Sequence, residues 1–306
     1  MNILITGATG FIGQHLVQRL QQDQHTITVL SRNSSKASEL LNVPALEWDY
    51  ATQDVPAEAL HDCQIIINLM GENLGEGRWT KARKHEIYAS RILSTRKLVA
   101  AAPDSLQAFV CGSAIGIYPG TGDDLYDESY AVPEQLSFMQ TICHDWEQEA
   151  ARIESKGVRR VSIRTGVVLG HGGMLKKLLP IFKLGLGGPV GNGQQWLPWI
   201  HLEDIVSVYC NAALDTRYRG PVNAVSPHPV RYREFATAFG NVLHRPAFFP
   251  TPAFILKLAL GEAAALALNS YHIAPNRLLG EYGFQFKFDH LPAALADLFK
   301  ETLNKS

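Results

Sequence analysis

Asn2-Ile3-Leu4-Ile5-Thr6-Gly7-Ala8-Thr9-Gly10-Phe11-Ile12-Gly13 is the stretch whose reading decides the fold. A short apolar run ends at Thr6, three glycines follow at regular spacing, and Phe11–Gln21 then carries the periodicity of a helix. Glycine triplets arise by chance, but one lying between a strand and a helix has the context a phosphate-binding turn requires. Gly7 permits the tight turn, Gly10 lets the backbone approach a pyrophosphate, and Gly13 lets the helix lie close to the strand. The helix start adds unpaired N–H groups and the positive end of its dipole, with Thr9, Phe11 and Ile12 completing the contact surface.

The end of the second strand refines this reading. A dinucleotide without a 2′-phosphate is met there by an acid, whereas this chain has Ser31-Arg32 followed by Lys36. A guanidinium can pair with a 2′-phosphate or stack on adenine, and a serine can hydrogen-bond to the phosphate, so NADP(H) is the expected cofactor.

Outward from this turn, short β-branched runs alternate with longer amphipathic stretches as far as about residue 170. Strands are predicted at Asn2–Thr6, Thr26–Leu30, Ala45–Trp48, Gln64–Leu69, Ala108–Cys111 and Arg160–Arg164. Helices are predicted at Phe11–Gln21, Lys81–Ala102 and Phe138–Glu154. This is the pattern of an α/β protein: a Rossmann doubly wound parallel sheet. Beyond Gly170, glycines surround a helix-like Met174–Leu184 and suggest a pocket wall. Tyr232–Leu243, an apolar stretch after Pro252 read as a packed helix pair, and Leu291–Leu303 suggest a smaller C-terminal substrate lobe. The expected division is residues 1–172 as the Rossmann domain, with 198–225 returning to it, and 173–197 plus 226–306 as the lobe.

Composition excludes several classes. With 306 residues, 46% of them hydrophobic, and a formal charge of −1, the chain can bury a large core but has no field to attract nucleic acid or an anionic membrane. Pro252–Leu268 is interrupted by Lys257, Gly261 and Glu262 and falls short of a membrane span. The N-terminus runs straight into a strand, so a cytoplasmic protein is expected. Cys63, Cys111, Cys143 and Cys210 are widely spaced and read as buried thiols, and the eleven histidines show no ligand spacing, so no metal site is expected.

Longer blocks carry a family resemblance. Asn68-Leu69-Met70-Gly71, Gly71-Glu72-Asn73, Gly77-Arg78-Trp79-Thr80, Ser90-Arg91, Arg164-Thr165-Gly166-Val167-Val168-Leu169-Gly170, Gly185-Leu186-Gly187-Gly188-Pro189 and Trp199-Ile200-His201-Leu202-Glu203-Asp204 accompany the glycine turn. Together they resemble the short-chain dehydrogenase/reductase superfamily, and within it the atypical epimerase-family subgroup of SDR39U type. The resemblance implies a cofactor site that includes Ser31, Arg32, Leu69, Met70, Gly71, Glu86, Arg91 and Val168. Met70 departs from the subgroup, which usually has a small alanine there. A homodimer through the exposed faces of Lys81–Ala102 and Phe138–Glu154 follows only by analogy with the superfamily.

The superfamily's Tyr-x-x-x-Lys pair, in which the lysine lowers the tyrosine pKa for proton transfer, is missing. If Glu147 marks the usual register, Met139 and Cys143 stand in those places. Ser113, matching the substrate-orienting serine, and Tyr118 are the catalytic candidates; local packing is the alternative for both. His144-Asp145 is a weaker acid/base pair. His201 and Asp204 read as bracing groups, while Trp196, Trp199, Arg78 and Trp79 are candidates for a pocket rim. Two functions remain open. One is an NADP(H)-dependent oxidoreductase or epimerase acting on a small polar molecule, with nucleotide-linked substrates among the options. The other is a non-catalytic NADP(H)-responsive binding protein.

Overall fold

The computed structural model describes residues 1–303. Its strands are β1 (Asn2–Thr6), β2 (Thr26–Ser31), β3 (Ala45–Glu47), β4 (Ile65–Asn68), β5 (Ala108–Ala114), β6 (Arg159–Thr165), β7 (Val167–Leu169), β8 (Trp196–Leu197), β9 (Trp199–His201), β10 (Gly220–Ala224) and β11 (Val230–Arg231). Seven of them form a sheet in the order β10-β6-β5-β4-β1-β2-β3. Every pairing in that sheet is parallel. The order reverses at β1, which puts a crevice above the strand ends where the glycine turn lies.

Helices α1 (Phe11–Gln22), α2 (Ser34–Leu41), α3 (Ala57–Leu60), α4 (Lys81–Ala101) and α5 (Phe138–Ala151) belong to the first half of the chain. They are followed by α6 (Gly173–Lys183), α7 (Leu202–Leu214), α8 (Tyr232–Val242), α9 (Ala253–Leu260), α10 (Ala265–Leu268), α11 (Asn276–Gly280) and α12 (Leu291–Leu303). Alternate strand residues feed two cores. Ile3, Ile5, Val29, Ile67 and Val110 meet Leu16, Val17 and Leu20 of α1 and Ile205 and Tyr209 of α7 on one face. Leu4, Leu30, Ile66, Phe109 and Cys111 meet Ile92 and Leu98 of α4 and Trp146 and Ala150 of α5 on the other. Burial on both faces is why these strands read as continuous apolar runs. Each fully buried aliphatic side chain among them contributes about 1.5–3 kcal/mol.

A separate core gathers Phe182, Trp199, Tyr232, Phe235, Phe239, Leu295 and Leu298 from α6, β9, α8 and α12. Residues 198–225 tie this part to the sheet, since α7 packs on α1 and β10 pairs with β6.

Four differences from the sequence reading have physical causes. β5 continues past Cys111 to Ala114, in register with β6, because small residues without apolar alternation still pair when a neighbouring strand runs alongside. β10 is an additional strand, hidden because Gly220 and Pro221 begin it. Helix α5 tightens into a 3-10 turn at Arg152–Lys156, closed by Gly157 at φ +74°. The stretch after Pro252 packs only at its margin: α9 and α10 contain no fully buried residue, Leu256, Ala267 and Leu268 are partly buried against the lobe core, and Ala263 and Ala264 of the 3-10 turn between them are buried.

Candidate functional site

The glycine turn lies against the end of β4. Gly7 adopts φ +69°, and a Cβ there would fall 2.6 Å from the Leu69 carbonyl oxygen. A Cβ on Gly13 would fall 2.5 Å from the Gly7 carbonyl oxygen and 2.6 Å from the Ala8 Cα. Both glycines are therefore required by backbone contacts that cannot yield. The Gly10 N–H donates to the Gly7 carbonyl at 3.0 Å, and no side chain caps α1 at Gly10. The first-turn N–H groups thus stay available to an anion. Thr9 and Gly10 are exposed, while Phe11 and Ile12 are half-buried.

A buried polar chain holds this turn and the Leu69–Gly71 turn together. The Thr6 hydroxyl donates to Asn68 Oδ1 at 2.6 Å, the Met70 N–H donates to the same oxygen at 3.2 Å, and Asn68 Nδ2 donates to Thr95 Oγ1 at 2.8 Å. Trp146 Nε1 also donates to Thr95 Oγ1, at 2.9 Å. Thr95 and Trp146 escaped the sequence reading because only folding brings helices α4 and α5 to the strand end.

Arg32 stands exposed at the end of β2, 3.7 Å from Glu72, and beside it the Ser31 hydroxyl accepts the Asn33 N–H at 3.3 Å. Glu72 in turn pairs with Arg83 at 3.0 Å, and Arg83 with Glu86 at 3.1 Å. Arg91 is buried: its guanidinium donates to the Ile87 and Glu72 carbonyls at 2.9 and 3.0 Å and lies over the Trp146 ring. Burial pushes it down to about 10, so it keeps its charge at neutral pH. A Cβ on Gly71 would meet that guanidinium at 2.8 Å. Val168 is half-buried in β7 and packs on the core beneath α1.

The two catalytic candidates sit in one buried network. Ser113 Oγ donates to Glu147 Oε1 at 2.6 Å, and Arg164 grips both Glu147 oxygens at 2.9 Å. A further Arg164 nitrogen donates to the Tyr118 hydroxyl at 2.9 Å, and that hydroxyl lies 2.7 Å from Asn223 Oδ1 and 3.0 Å from the Asp127 carbonyl. Burial raises the Tyr118 pKa despite Arg164, the opposite of what a proton-transfer phenol needs. Burial also works against the Arg164 charge, but Glu147 more than offsets it and its pKa is raised. Arg164, Glu147 and Asn223 are thus partners the sequence reading did not assign. Tyr118 is 1% exposed and packs with Ile115, Ile117 and Ile273 rather than facing an open cleft.

Met139 and Cys143 do lie against the strand-five connection: a Cβ on Gly116 would meet Met139 Cε at 3.0 Å and Cys143 Sγ at 3.4 Å. Burial pushes the Cys143 thiol up to about 12, so it is no thiolate. His144 contacts Asp145 at 3.1 Å, but Asp145 also accepts the Tyr88 hydroxyl at 2.7 Å, a structural tie between α4 and α5. Trp199 is core, its indole N–H on the His228 carbonyl. Trp196 is stacked on His272 at 4.1 Å and lies 3.9 Å beneath Arg231, so its ring is already partnered. Asp204 accepts the Lys287 and Phe288 N–H groups at 2.7 and 3.1 Å, a brace between α7 and the segment before α12.

Several glycines of the glycine-rich segment pack tightly, while His171, Leu179 and Lys183 from the same stretch line a cavity. Gly170 and Gly172 lie against the Phe11 ring, Gly187 against Phe182, and Gly188 against the Phe249 backbone. The second lobe reaches the loop after β4 and the start of α4 through Lys177 on the Gly75 carbonyl, the Lys84–Glu262 pair, and Trp79 packed in one cluster with Ala263 and Leu260. Arg78 lies beside Gly261. A cavity of about 630 Å³ opens between α1, α6, α7 and α12, and no residue of the Gly7–Gly13 turn lines it.

A parallel sheet with this turn at its switch point defines a Rossmann protein of the short-chain dehydrogenase/reductase kind. Comparison with known proteins narrows the class. The family model for the NAD dependent epimerase/dehydratase family matches residues 3–223, and a domain of unknown function, DUF1731, matches residues 251–298. The Bacillus subtilis epimerase family protein YfhF is 34% identical over 98% of this chain and 99% of its own. The chloroplastic SDR39U1 homolog of Arabidopsis thaliana is 37% identical over 96% of this chain and 86% of its own. The crystal structure of human epimerase family protein SDR39U1 with NADPH superposes with a TM-score of 0.88 at 33% identity, covering 98% of this chain and 99% of that one. The chain belongs to the NAD-dependent epimerase/dehydratase family and, within it, to the SDR39U1-type epimerase family proteins.

Proposed function

We propose that this chain binds NADP(H) above the ends of β1, β2 and β4 and acts as an oxidoreductase or epimerase on a small polar substrate, nucleotide-linked sugars being the first class to test. The observation that carries this reading is the glycine cradle with Arg32 at its rim. Gly7, Gly10 and Gly13 with the α1 N–H groups would hold the pyrophosphate, and Ser31 and Arg32 the 2′-phosphate. Leu69, Met70, Gly71, Glu86, Arg91 and Val168 would complete the site, Arg91 by stiffening the Gly71–Glu72 turn. The nicotinamide, when bound, supplies hydride chemistry; the chain binds it, orients it and excludes water. Residues 1–172 with 198–225 form the cofactor-binding body, and 173–197 with 226–306 the substrate lobe, of which 304–306 lie outside the described residues.

A second reading has its own observation. In the register set by Glu147, Met139 and Cys143 would stand in the places of the proton-transfer pair, and the Ser113 and Tyr118 hydroxyls are both engaged. This fits an NADP(H)-responsive binding protein, and it recasts Ser113 and Tyr118 as positioning residues.

NADPH fluorescence titration followed by incubation with pooled nucleotide sugars, aldehydes, ketones and quinones tests both. Saturable binding with consumption or a new epimer supports the enzyme; binding without either supports the responsive protein, and no binding refutes both. Among the described residues no helix is long and apolar enough to cross a membrane. A cytoplasmic location and a homodimer through α4 and α5 remain our proposals, read by cell fractionation and light scattering.

A further inference from the structure

Three metal-binding side chains outside the dinucleotide site come together in space although the sequence keeps them far apart. His228 lies in the loop between β10 and β11, and Asp289 and His290 immediately precede α12. One donor atom from each lies within 4.8 Å of the others. His290 Nδ1 is 3.0 Å from Asp289 Oδ1, and His228 Nε2 is 4.0 Å from Asp289 Oδ2. The two imidazole centroids are 4.0 Å apart.

The backbone beneath these side chains is fixed. The buried Ser226 hydroxyl accepts the His228 N–H at 3.3 Å and donates to the Asp289 carbonyl at 2.7 Å, so one group pins both segments. Trp199 Nε1 donates to the His228 carbonyl at 3.2 Å and anchors the loop to the lobe core. Only exposed side chains would have to rotate to converge on one ion. Two imidazole nitrogens and a carboxylate are the donors of a borderline cation, and they suit zinc better than the all-oxygen preference of magnesium or calcium.

We propose that His228, Asp289 and His290 form a site for a borderline divalent cation, with Zn²⁺ as the reference ion and water completing its coordination. The ion staples the β10–β11 loop to the start of α12. The site is independent of the dinucleotide reading and stands or falls separately from it.

The test uses the untagged full chain, stripped of metal with a chelator and titrated with Zn²⁺ against a chromophoric competitor, with melting temperature read in parallel. One Zn²⁺ binds per chain and raises the melting temperature. His228→Ala and His290→Ala each weaken binding by about tenfold or more and remove the thermal shift. Asp289→Asn weakens it less, and His85→Ala, an exposed histidine elsewhere, changes nothing. NADPH affinity is the same in all variants. Zinc binding that survives in the His228→Ala/His290→Ala double variant, no binding at micromolar Zn²⁺, or an anomalous-scattering peak at other residues in a Zn²⁺-soaked crystal overturns the proposal.

Discussion

Removing the Arg32 guanidinium separates the two nicotinamide dinucleotides. Arg32 has a side chain 71% exposed and a carboxylate 3.7 Å away, so its pair with Glu72 is worth less than about 1 kcal/mol. Glu72 keeps a second partner in Arg83 at 3.0 Å, so releasing Arg32 to a phosphate costs little. A charge-assisted hydrogen bond from Arg32 to a 2′-phosphate contributes about 1.5–3 kcal/mol. Arg32→Ala should therefore weaken NADPH binding by roughly 10- to 150-fold. NADH lacks the phosphate and should change by no more than about threefold, which is within the cost of a lost exposed contact. Arg32→Asp should widen the gap by adding repulsion, and Glu72→Gln should tighten NADPH by up to about fivefold, the value of the competing pair. Both affinities are read by fluorescence titration at fixed ionic strength, because screening shrinks the difference. Equal losses for the two dinucleotides would refute the assignment of Arg32.

Three further outcomes follow from the geometry. Gly13→Ala places a Cβ 2.5 Å from the Gly7 carbonyl oxygen, so dinucleotide binding should vanish and stability should fall by about 1–3 kcal/mol in urea unfolding; an unaffected NADPH affinity contradicts the cradle. Tyr118→Phe leaves Arg164 and Asn223 short of a buried partner and should cost about 1–3 kcal/mol with NADPH affinity unchanged. Loss of turnover at full stability would instead make Tyr118 a catalytic residue. Burial pushes His201 down to about 4 from 6.5, so from pH 6.5 to 4 the unfolded chain takes up a proton that the folded chain refuses, and stability falls as pH falls. Asp204, pushed up by burial to about 6 from 3.8, contributes the opposite slope between those values. His201→Asn, which keeps an acceptor at the start of α7, should therefore lose less stability than the parent between pH 7 and 5; identical slopes exclude the His201 contribution.

What could be read in advance was what is local along the chain. The β1–turn–α1 unit is specified by three glycines and a run of apolar residues, and its strand and helix fall within a residue of their predicted limits. The place of Arg32 just past the end of β2 is legible for the same reason, since a strand end is a local event. Glu72 is quoted in a motif, yet its pairing with Arg32 and Arg83 could not be read, because it depends on how the loop after β4 folds back. Ser113 and Tyr118 were correctly placed near one strand end, but whether their hydroxyls were free depended on Glu147, Arg164 and Asn223, contributed by three other elements. The His228–Asp289–His290 cluster was invisible for the same reason: no spacing rule joins a loop after β10 to the start of α12. The apolar texture of α9 overstates its burial, since Leu256 and Leu260 pack at core margins while Phe254 and Leu258 stay exposed, and composition alone does not say which neighbour covers which face.

The late arrival of β10 has a consequence for how the molecule is made. Until Gly220–Ala224 emerges from the ribosome, β6 is the bare margin of a six-stranded parallel sheet. Its unsatisfied N–H and C=O row would invite any extended segment nearby. Pairing with β10 must span the whole Gly-rich segment and α7, so it is the last contact of the sheet to become available as the chain emerges. Nascent chains truncated before residue 220 should therefore aggregate readily, and synthesis pauses in this region would tax chaperones more than pauses elsewhere.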